Sequence, residues 1–310
     1  LLRKRTCNMA QEAEALAIHS MFLDSLTCLF WIIGLIFLLY RFRHSKIKIY
    51  TILKVSAILF FLSNAVAFFI RFLDDYAAYR IFVQFYEDDY VDYPMFKFYR
   101  NALMTYCIVY FPLPCATFYL FILARLRITF FGTMYAISKK YFIITGFIGI
   151  VSLVLYTWWQ MLVVYIVFYD PNYPLTMTTY NFGQFSVYQF YVIDPLIRIS
   201  VIYAFNRRLF KLIVLQREDI SGFGESSDRK DSLLTQLNDR QEKLVKTITK
   251  QTLLICLMII GNLAYTIWIE AGQSNDAEGE ITPIDVLTEY LFFAVTILQL
   301  LCVYLGFDFA

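Results

Sequence analysis

The chain has few of the residues and motifs on which enzymes rely. Its 310 residues include only two histidines, and it has no His-Glu-x-x-His, no Gly-x-Ser-x-Gly and no glycine-rich phosphate loop. Zinc-dependent hydrolysis, serine-type acyl transfer and P-loop phosphate chemistry each need one of these patterns. The sequence therefore favours a non-enzyme, and it points to no metal, no cofactor and no nucleic acid.

Other absences bear on topology. No Asn-x-Ser/Thr sequon occurs, so glycosylation cannot mark an outer loop. Five of the six cysteines lie within apolar runs, which disfavours a disulfide scaffold because such bridges form on an oxidising aqueous face. The two halves of the chain do not repeat each other in charge, glycine or proline placement, which disfavours a transporter built from inverted repeats.

Apolar residues dominate instead. They make up 59% of the chain, aromatic residues make up 19%, and the mean hydropathy is +0.57, which is too apolar for a soluble domain. Lipid offers no partner to a free backbone group, so the long apolar windows should be helices. We predict an all-α integral membrane protein, a single domain over 1–310 with seven transmembrane helices, at about 17–40, 50–73, 98–124, 141–168, 185–206, 250–269 and 284–307.

Basic and acidic residues concentrate in alternate loops, with Arg3-Lys4-Arg5 on the predicted outer side as an exception. Lys and Arg crowd the first, third and fifth loops, and the fifth is a long polar segment at 207–249. Acidic residues fill the loop from Asp74 to Tyr93 and the loop before the seventh window. By the positive-inside rule, the N-terminus is outside and the C-terminus is cytoplasmic. We expect a plasma-membrane protein, and the ends at Leu1 and Ala310 favour a fragment.

Polar groups at membrane depth are costly, so each is a functional candidate. Asp194 and Arg198 are one helical turn apart, so they predict either a structural ion pair that locks the bundle or a ligand or switch element. Asp24 is a candidate counter-ion for a cationic ligand, unless it faces water. Cys107 completes the candidate ligand-binding set, although each cysteine also fits a small buried apolar residue.

Three amides and three prolines also lie within the predicted helices. Asn64, Asn262 and Gln299 are expected to form hydrogen bonds between helices. Pro112 and Pro114 interrupt the third window, and Pro195 interrupts the fifth, because proline removes a backbone donor.

At this point the chain resembles the G-protein-coupled receptor superfamily, most nearly its rhodopsin-like branch. Ala124-Arg125-Leu126 is similar to the family's Asp-Arg-Tyr, with Arg127 beside it. Pro195 and Tyr203 match the family's spacing in the fifth helix, and Tyr304 is similar to the tyrosine of Asn-Pro-x-x-Tyr. The chain departs from the family where Ala124 replaces the acid and Leu300-Leu301 replaces Asn-Pro.

The resemblance implies that Arg125 turns toward Tyr203 and Tyr304 when the sixth helix swings outward, which opens a cleft for a heterotrimeric G protein or another cytoplasmic signalling protein. The expected function is a membrane receptor that is embedded in lipid and responds to an extracellular ligand. The acidic outer loops would favour a cationic ligand, or they are simply solvated. A multi-pass transporter and a seven-helix scaffold without a ligand are the alternatives.

Overall fold

The computed structural model describes residues 2–44, 51–88, 93–129, 137–169 and 176–222, together with 253, 256, 257, 260, 261, 290, 293–298 and 301. The continuous ranges form six helices, and no residue in the described part of the chain lies in a strand. The helices are α1 Leu2–His44, α2 Thr51–Asp88, α3 Tyr93–Val109, α4 Pro112–Thr129, α5 Lys139–Phe168 and α6 Met177–Gly222.

Within the described residues, five helical segments are long and apolar enough to cross a membrane, so the chain has the character of a multi-pass, all-α membrane protein. Many apolar side chains on them face outward; Ile143 and Phe147 on α5, for example, are 69% and 66% exposed. Lipid is the solvent that such a surface needs. The five segments are Ala17–His44, Thr51–Ile81, Tyr93–Ile128, Lys139–Phe168 and Met177–Arg208.

The 98–124 window predicts one continuous helix for the third of these spans, but the structure has two. The span consists of α3 and α4, which are separated at Tyr110 and Phe111. Pro112 opens α4 and has no N–H, so the regular backbone ladder cannot pass through it. Pro195, in contrast, lies inside α6, which runs through it without a break.

Three helices are much longer than the windows that predict them. Helix α1 begins at Leu2, well before its 17–40 window. Helix α2 continues to Asp88, so most of the acidic segment predicted as an outer loop is helical. Helix α6 starts at Met177 and continues to Gly222, which makes the first part of the predicted 207–249 loop helical. Hydropathy marks where the membrane ends, whereas a helix can extend into water because Arg, Lys, Glu and Gln are good helix formers.

Most of the predicted sixth and seventh helices lies outside the described residues. The described positions among them are helical. A Cβ on Gly261 would lie 2.5 Å from Val295 Cγ2, so these two predicted helices contact each other. The ring of Phe293 also lies 6.3 Å from that of Phe30 on α1, which places the seventh window beside the first helix.

Two apolar cores hold the bundle together. The first joins α1, α2 and α4 and is centred on Trp31, which is fully buried with its ring 5.4 Å from Phe60 and 5.3 Å from Phe61. The second joins α4, α5 and α6 around Phe190. Helix α4 contributes to both cores and so connects the two halves of the bundle.

Candidate functional site

The first cluster of buried polar side chains has its ion pair, Asp194 and Arg198, within α6, and Tyr119 on α4 completes it. We call it the intrahelical cluster. Arg198 Nε lies 2.8 Å from Asp194 Oδ2 and donates a 2.9 Å hydrogen bond to Oδ1. The Tyr119 hydroxyl donates a 2.6 Å hydrogen bond to the same Oδ1. Asp194 and Arg198 are 7% and 3% exposed. The ion pair predicted from their spacing is therefore present, and a phenol from another helix completes it.

The cluster lies near the middle of its span. Asp194 is 17 residues from Met177 and 14 from Arg208, the two ends of the span, or about 26 and 21 Å along a helix. An isolated charge at that depth is very unfavourable, whereas a paired, hydrogen-bonded carboxylate and guanidinium carry no net charge. The Arg198 guanidinium also lies 4.8 Å from the centroid of the Phe118 ring, a cation–π contact that shields its face.

A glycine lets Tyr119 reach Asp194. A Cβ on Gly149 of α5 would lie 3.1 Å from Tyr119 Cδ2 and Cε2 and 3.3 Å from Ile197 Cδ1, closer than ordinary contact. The Tyr119 ring therefore packs against α5 at a position where any side chain would press on it. Gly146, one turn earlier, has its nearest such neighbour at 3.9 Å and is not under this constraint.

The interhelical cluster consists of Asp24 on α1, Arg71 on α2 and Tyr110 at the break between α3 and α4. Arg71 Nε lies 3.3 Å from Asp24 Oδ2, and Arg71 Nη1 donates a 2.8 Å hydrogen bond to the Tyr110 hydroxyl. Asp24 is 2% exposed and Arg71 is 7% exposed. Asp24 therefore does not face water, and its cationic partner in the structure is a side chain of the protein itself.

The contacts around this cluster follow the antiparallel packing of α1 and α2. One turn from the ion pair, Ser20 Oγ donates a 2.6 Å hydrogen bond to Asp75 Oδ2. On the other side, Cys28 Sγ donates a 3.4 Å hydrogen bond to the Ala65 carbonyl. Tyr110 is fixed by its ring, which stacks on Tyr106 at 4.6 Å. A polar seam thus joins the first two helices and the break in the third span.

The predicted ligand-binding residues do not form one site. Asp194 and Arg198 are together, Asp24 belongs to the other cluster, and the two clusters share no residue. Cys107 is half-buried on α3, where it lies near Asp74.

Three of the residues singled out by the receptor resemblance, Arg125, Arg127 and Tyr203, lie toward one end of the bundle. Arg125 is half-buried with its guanidinium 5.5 Å from the Phe205 ring, whereas Tyr203 is 62% exposed and lies 5.9 Å from Arg207. Phe205 is therefore an aromatic neighbour of Arg125 in this conformation. Arg127 is exposed, and Pro195 is half-buried directly after Asp194. Tyr304 lies outside the described residues.

The expected amide contacts differ in the structure. Asn64 Nδ2 donates a 2.8 Å hydrogen bond to the Phe60 carbonyl of its own helix, so this bond does not connect two helices. Such a connection is made one residue earlier, where Ser63 and Thr117 place their hydroxyls 2.7 Å apart between α2 and α4. Asn262 and Gln299 lie outside the described residues.

Three residues of the two clusters carry little signal in the sequence. Arg71 lies two residues before the predicted end of its helix, where a cation is expected to flank the membrane-spanning segment. Tyr110 and Tyr119 are two among 24 tyrosines. A charged residue inside an apolar window is the one signal that could have identified Arg71.

Comparison of the chain with family models, curated protein sequences and solved structures gives no match. Among the side chains that the structure describes, no three His, Cys, Asp or Glu residues come together as metal ligands. Both clusters are instead closed, neutral acid–base pairs. Opening either one leaves a buried charge without its partner, so each can act as a lock on the helices that it joins.

Proposed function

We propose that the chain is a seven-helix membrane receptor, similar in architecture to G-protein-coupled receptors, with its N-terminus outside the cell. The orientation is supported by charge. The ends of α1, α4 and α5 that carry Arg43, Arg127 and Lys139 face one side, and Asp74 and Asp75 lie toward the other. The helical positions around Gly261 and Val295, and their mutual contact, support the sixth and seventh helices.

The intrahelical cluster is the observation that carries this proposal. Through Tyr119 it connects α4 to α6 at mid-membrane, and the same two helices meet again through Arg125 and Phe205, toward the end of the bundle that carries Arg127. Pro195 follows Asp194 directly and cannot donate a backbone hydrogen bond, so α6 is locally weakened beside the ion pair. A change at the cluster can therefore move the helix ends at which a cytoplasmic partner would bind.

In the proposed mechanism, an outer ligand shifts a two-state equilibrium. The closed state keeps Tyr119 on Asp194 and Arg125 on Phe205. In the open state the phenol is released, α4 and α6 separate at the cytoplasmic end, and Arg125 becomes available to the partner. Moving such an equilibrium from 1:99 to 99:1 takes about 5.5 kcal/mol of differential binding, within the reach of a ligand that pairs with Asp194 or Arg198.

A transporter is the second candidate, and the interhelical cluster is the observation that favours it. Two buried acid–base pairs at different depths would suit substrate or ion sites that open alternately to the two sides. The receptor hypothesis gives a role to the intrahelical cluster alone, whereas the transporter hypothesis gives a role to both clusters.

The test is a distance measurement by double spin labelling in the purified full chain, with native cysteines replaced and labels at the exposed positions Arg127 on α4 and Lys211 on α6. We expect a purified G protein to increase this distance, and the increase should be lost in Arg125→Ala and in Asp194→Asn. Gly146→Ala serves as the matched control. A distance that no G protein changes would refute the receptor and favour a scaffold. A change coupled to closure at the outer ends would instead show transport.

A further inference from the structure

One end of the bundle carries an excess of positive charge. We call the end formed by α4, α5 and α6 the cationic end, and its six members are Arg127, Lys139, Lys140, Arg207, Arg208 and Lys211. The three helices converge there. Arg125 lies over Phe205, which connects α4 to α6, and the Tyr141 hydroxyl lies 3.2 Å from Ser200 Oγ, which connects the start of α5 to α6.

No described carboxylate balances these cations. Among the side chains that the structure describes, the carboxylates are Asp24, Asp74, Asp75 and Asp194. Asp194 is paired with Arg198 at mid-membrane, and the other three lie toward the opposite end of α1 and α2. Like charges within about 10 Å repel one another unless a counter-charge is present.

Arg208 shows where a counter-charge is needed. Its Nη1 atom is buried and has no hydrogen-bond partner among the described residues, and its guanidinium lies near Tyr141 and Arg207. A buried N–H donor without an acceptor is unfavourable, and more so when it belongs to a charged group. Helix α5 begins at Lys139, and Tyr141 in its first turn contacts Ser200 of α6, so the positive end of that helix dipole lies at the same end of the bundle.

The surface next to these cations is apolar and faces outward. Ile143 and Ile144 follow Lys140 within about one turn and are 69% and 57% exposed. Tyr203, one turn before Arg207, is 62% exposed. An anion at the cationic end thus lies at the boundary between charged and lipid-facing surface, where phospholipid headgroups are found.

We propose that the cationic end binds the phosphate headgroup of an anionic phospholipid, with Arg208, Lys140 and the start of α5 around the phosphate and the acyl chains along Ile143 and Tyr203. A guanidinium fork suits phosphate oxygens, and a lysine adds a point charge. This site is independent of the receptor proposal, because it requires neither an outer ligand nor a G protein.

The test measures binding of short-chain phospholipids to the purified full chain in detergent. The probes are dioctanoyl phosphatidylinositol 4,5-bisphosphate, dioctanoyl phosphatidylcholine and free inositol trisphosphate. We expect the bisphosphate lipid to bind best, and Lys140→Gln with Arg208→Gln to weaken it at least about tenfold. Arg80→Gln with Lys97→Gln removes two exposed cations far from the site and should change the affinity by less than about twofold.

Each other outcome overturns part or all of the proposal. Equal weakening in both double variants would mean non-specific attraction, and no weakening in either would remove the site. If free inositol trisphosphate bound as tightly as the lipid, the ligand would be a soluble phosphate rather than a headgroup. If the first double variant does not fold, Lys139→Gln with Arg207→Gln repeats the test on exposed side chains.

Discussion

The two Asp–Arg–Tyr clusters use the same side-chain types but differ in how their charges are placed along the chain. In the intrahelical cluster, Asp194 and Arg198 share one helix, and in the interhelical cluster Asp24 and Arg71 lie on two. A pair within one helix can enter the membrane already neutralised. A pair between helices forms only when α1 and α2 pack, so each charge must be accommodated separately until then.

Because of this difference, the two ion pairs contribute differently to the association of the helices. The interhelical ion pair contributes directly to association of α1 with α2, because neither charge has the other as a partner before the helices meet. The intrahelical ion pair lies within α6 and does not depend on the position of α4, to which it is connected by the Tyr119 hydroxyl and the Phe118 ring. The first cluster therefore suits a permanent joint, and the second suits a contact that opens and closes.

Removing Arg71 should have the largest effect on stability. Arg71→Met leaves the Asp24 carboxylate buried without its partner, so we expect a loss of about 3–5 kcal/mol in the free energy of unfolding, measured in mixed detergent and SDS micelles. The double variant Asp24→Leu with Arg71→Met should recover most of that loss because no charge is left unpaired. A loss below about 1 kcal/mol in the single variant would mean that water reaches the pair.

Removing either phenol should have a smaller effect and should distinguish the two clusters. Tyr119→Phe and Tyr110→Phe each remove one hydrogen bond to a charged group, which is worth about 1.5–3 kcal/mol. Of the two variants, we expect only Tyr119→Phe to change the Arg127–Lys211 spin-label distance in the absence of a G protein. The Tyr119 hydrogen bond joins α4 to α6, whereas the Tyr110 hydrogen bond joins the break between α3 and α4 to α2. If Tyr110→Phe changed that distance equally, the division between joint and switch would be wrong.

Adding one methyl group at Gly149 should have the smallest of these effects. Gly149→Ala forces the Tyr119 ring to move by a few tenths of an ångström, so we expect a loss of about 1–2 kcal/mol and a weaker bond to Asp194. Gly146→Ala is the matched control on the same helix and should be neutral or slightly stabilising. Equal losses in the two variants would mean that Tyr119 does not depend on this glycine.

The two clusters also show which ion pairs of a membrane protein can be predicted from its sequence. The Asp194–Arg198 pair could be predicted because both residues lie on one helix and the helical repeat fixes their distance. The partner of Asp24 could not, because pairing between helices depends on a packing register that hydropathy does not encode. For the same reason the windows locate five spans well but place the ends of α2 and α6 too early, since those helices continue into polar sequence.

The close approach at Gly149 has a consequence for how this sequence can vary. A residue larger than glycine at position 149 presses on the Tyr119 ring and favours a smaller residue at position 119, and that change removes the hydroxyl that donates to Asp194. A variant that keeps the phenol therefore gains from keeping the glycine, while one that loses the phenol depends less on the acid at 194 and the base at 198. Positions 119, 149, 194 and 198 are therefore expected to change together among sequences that share this fold.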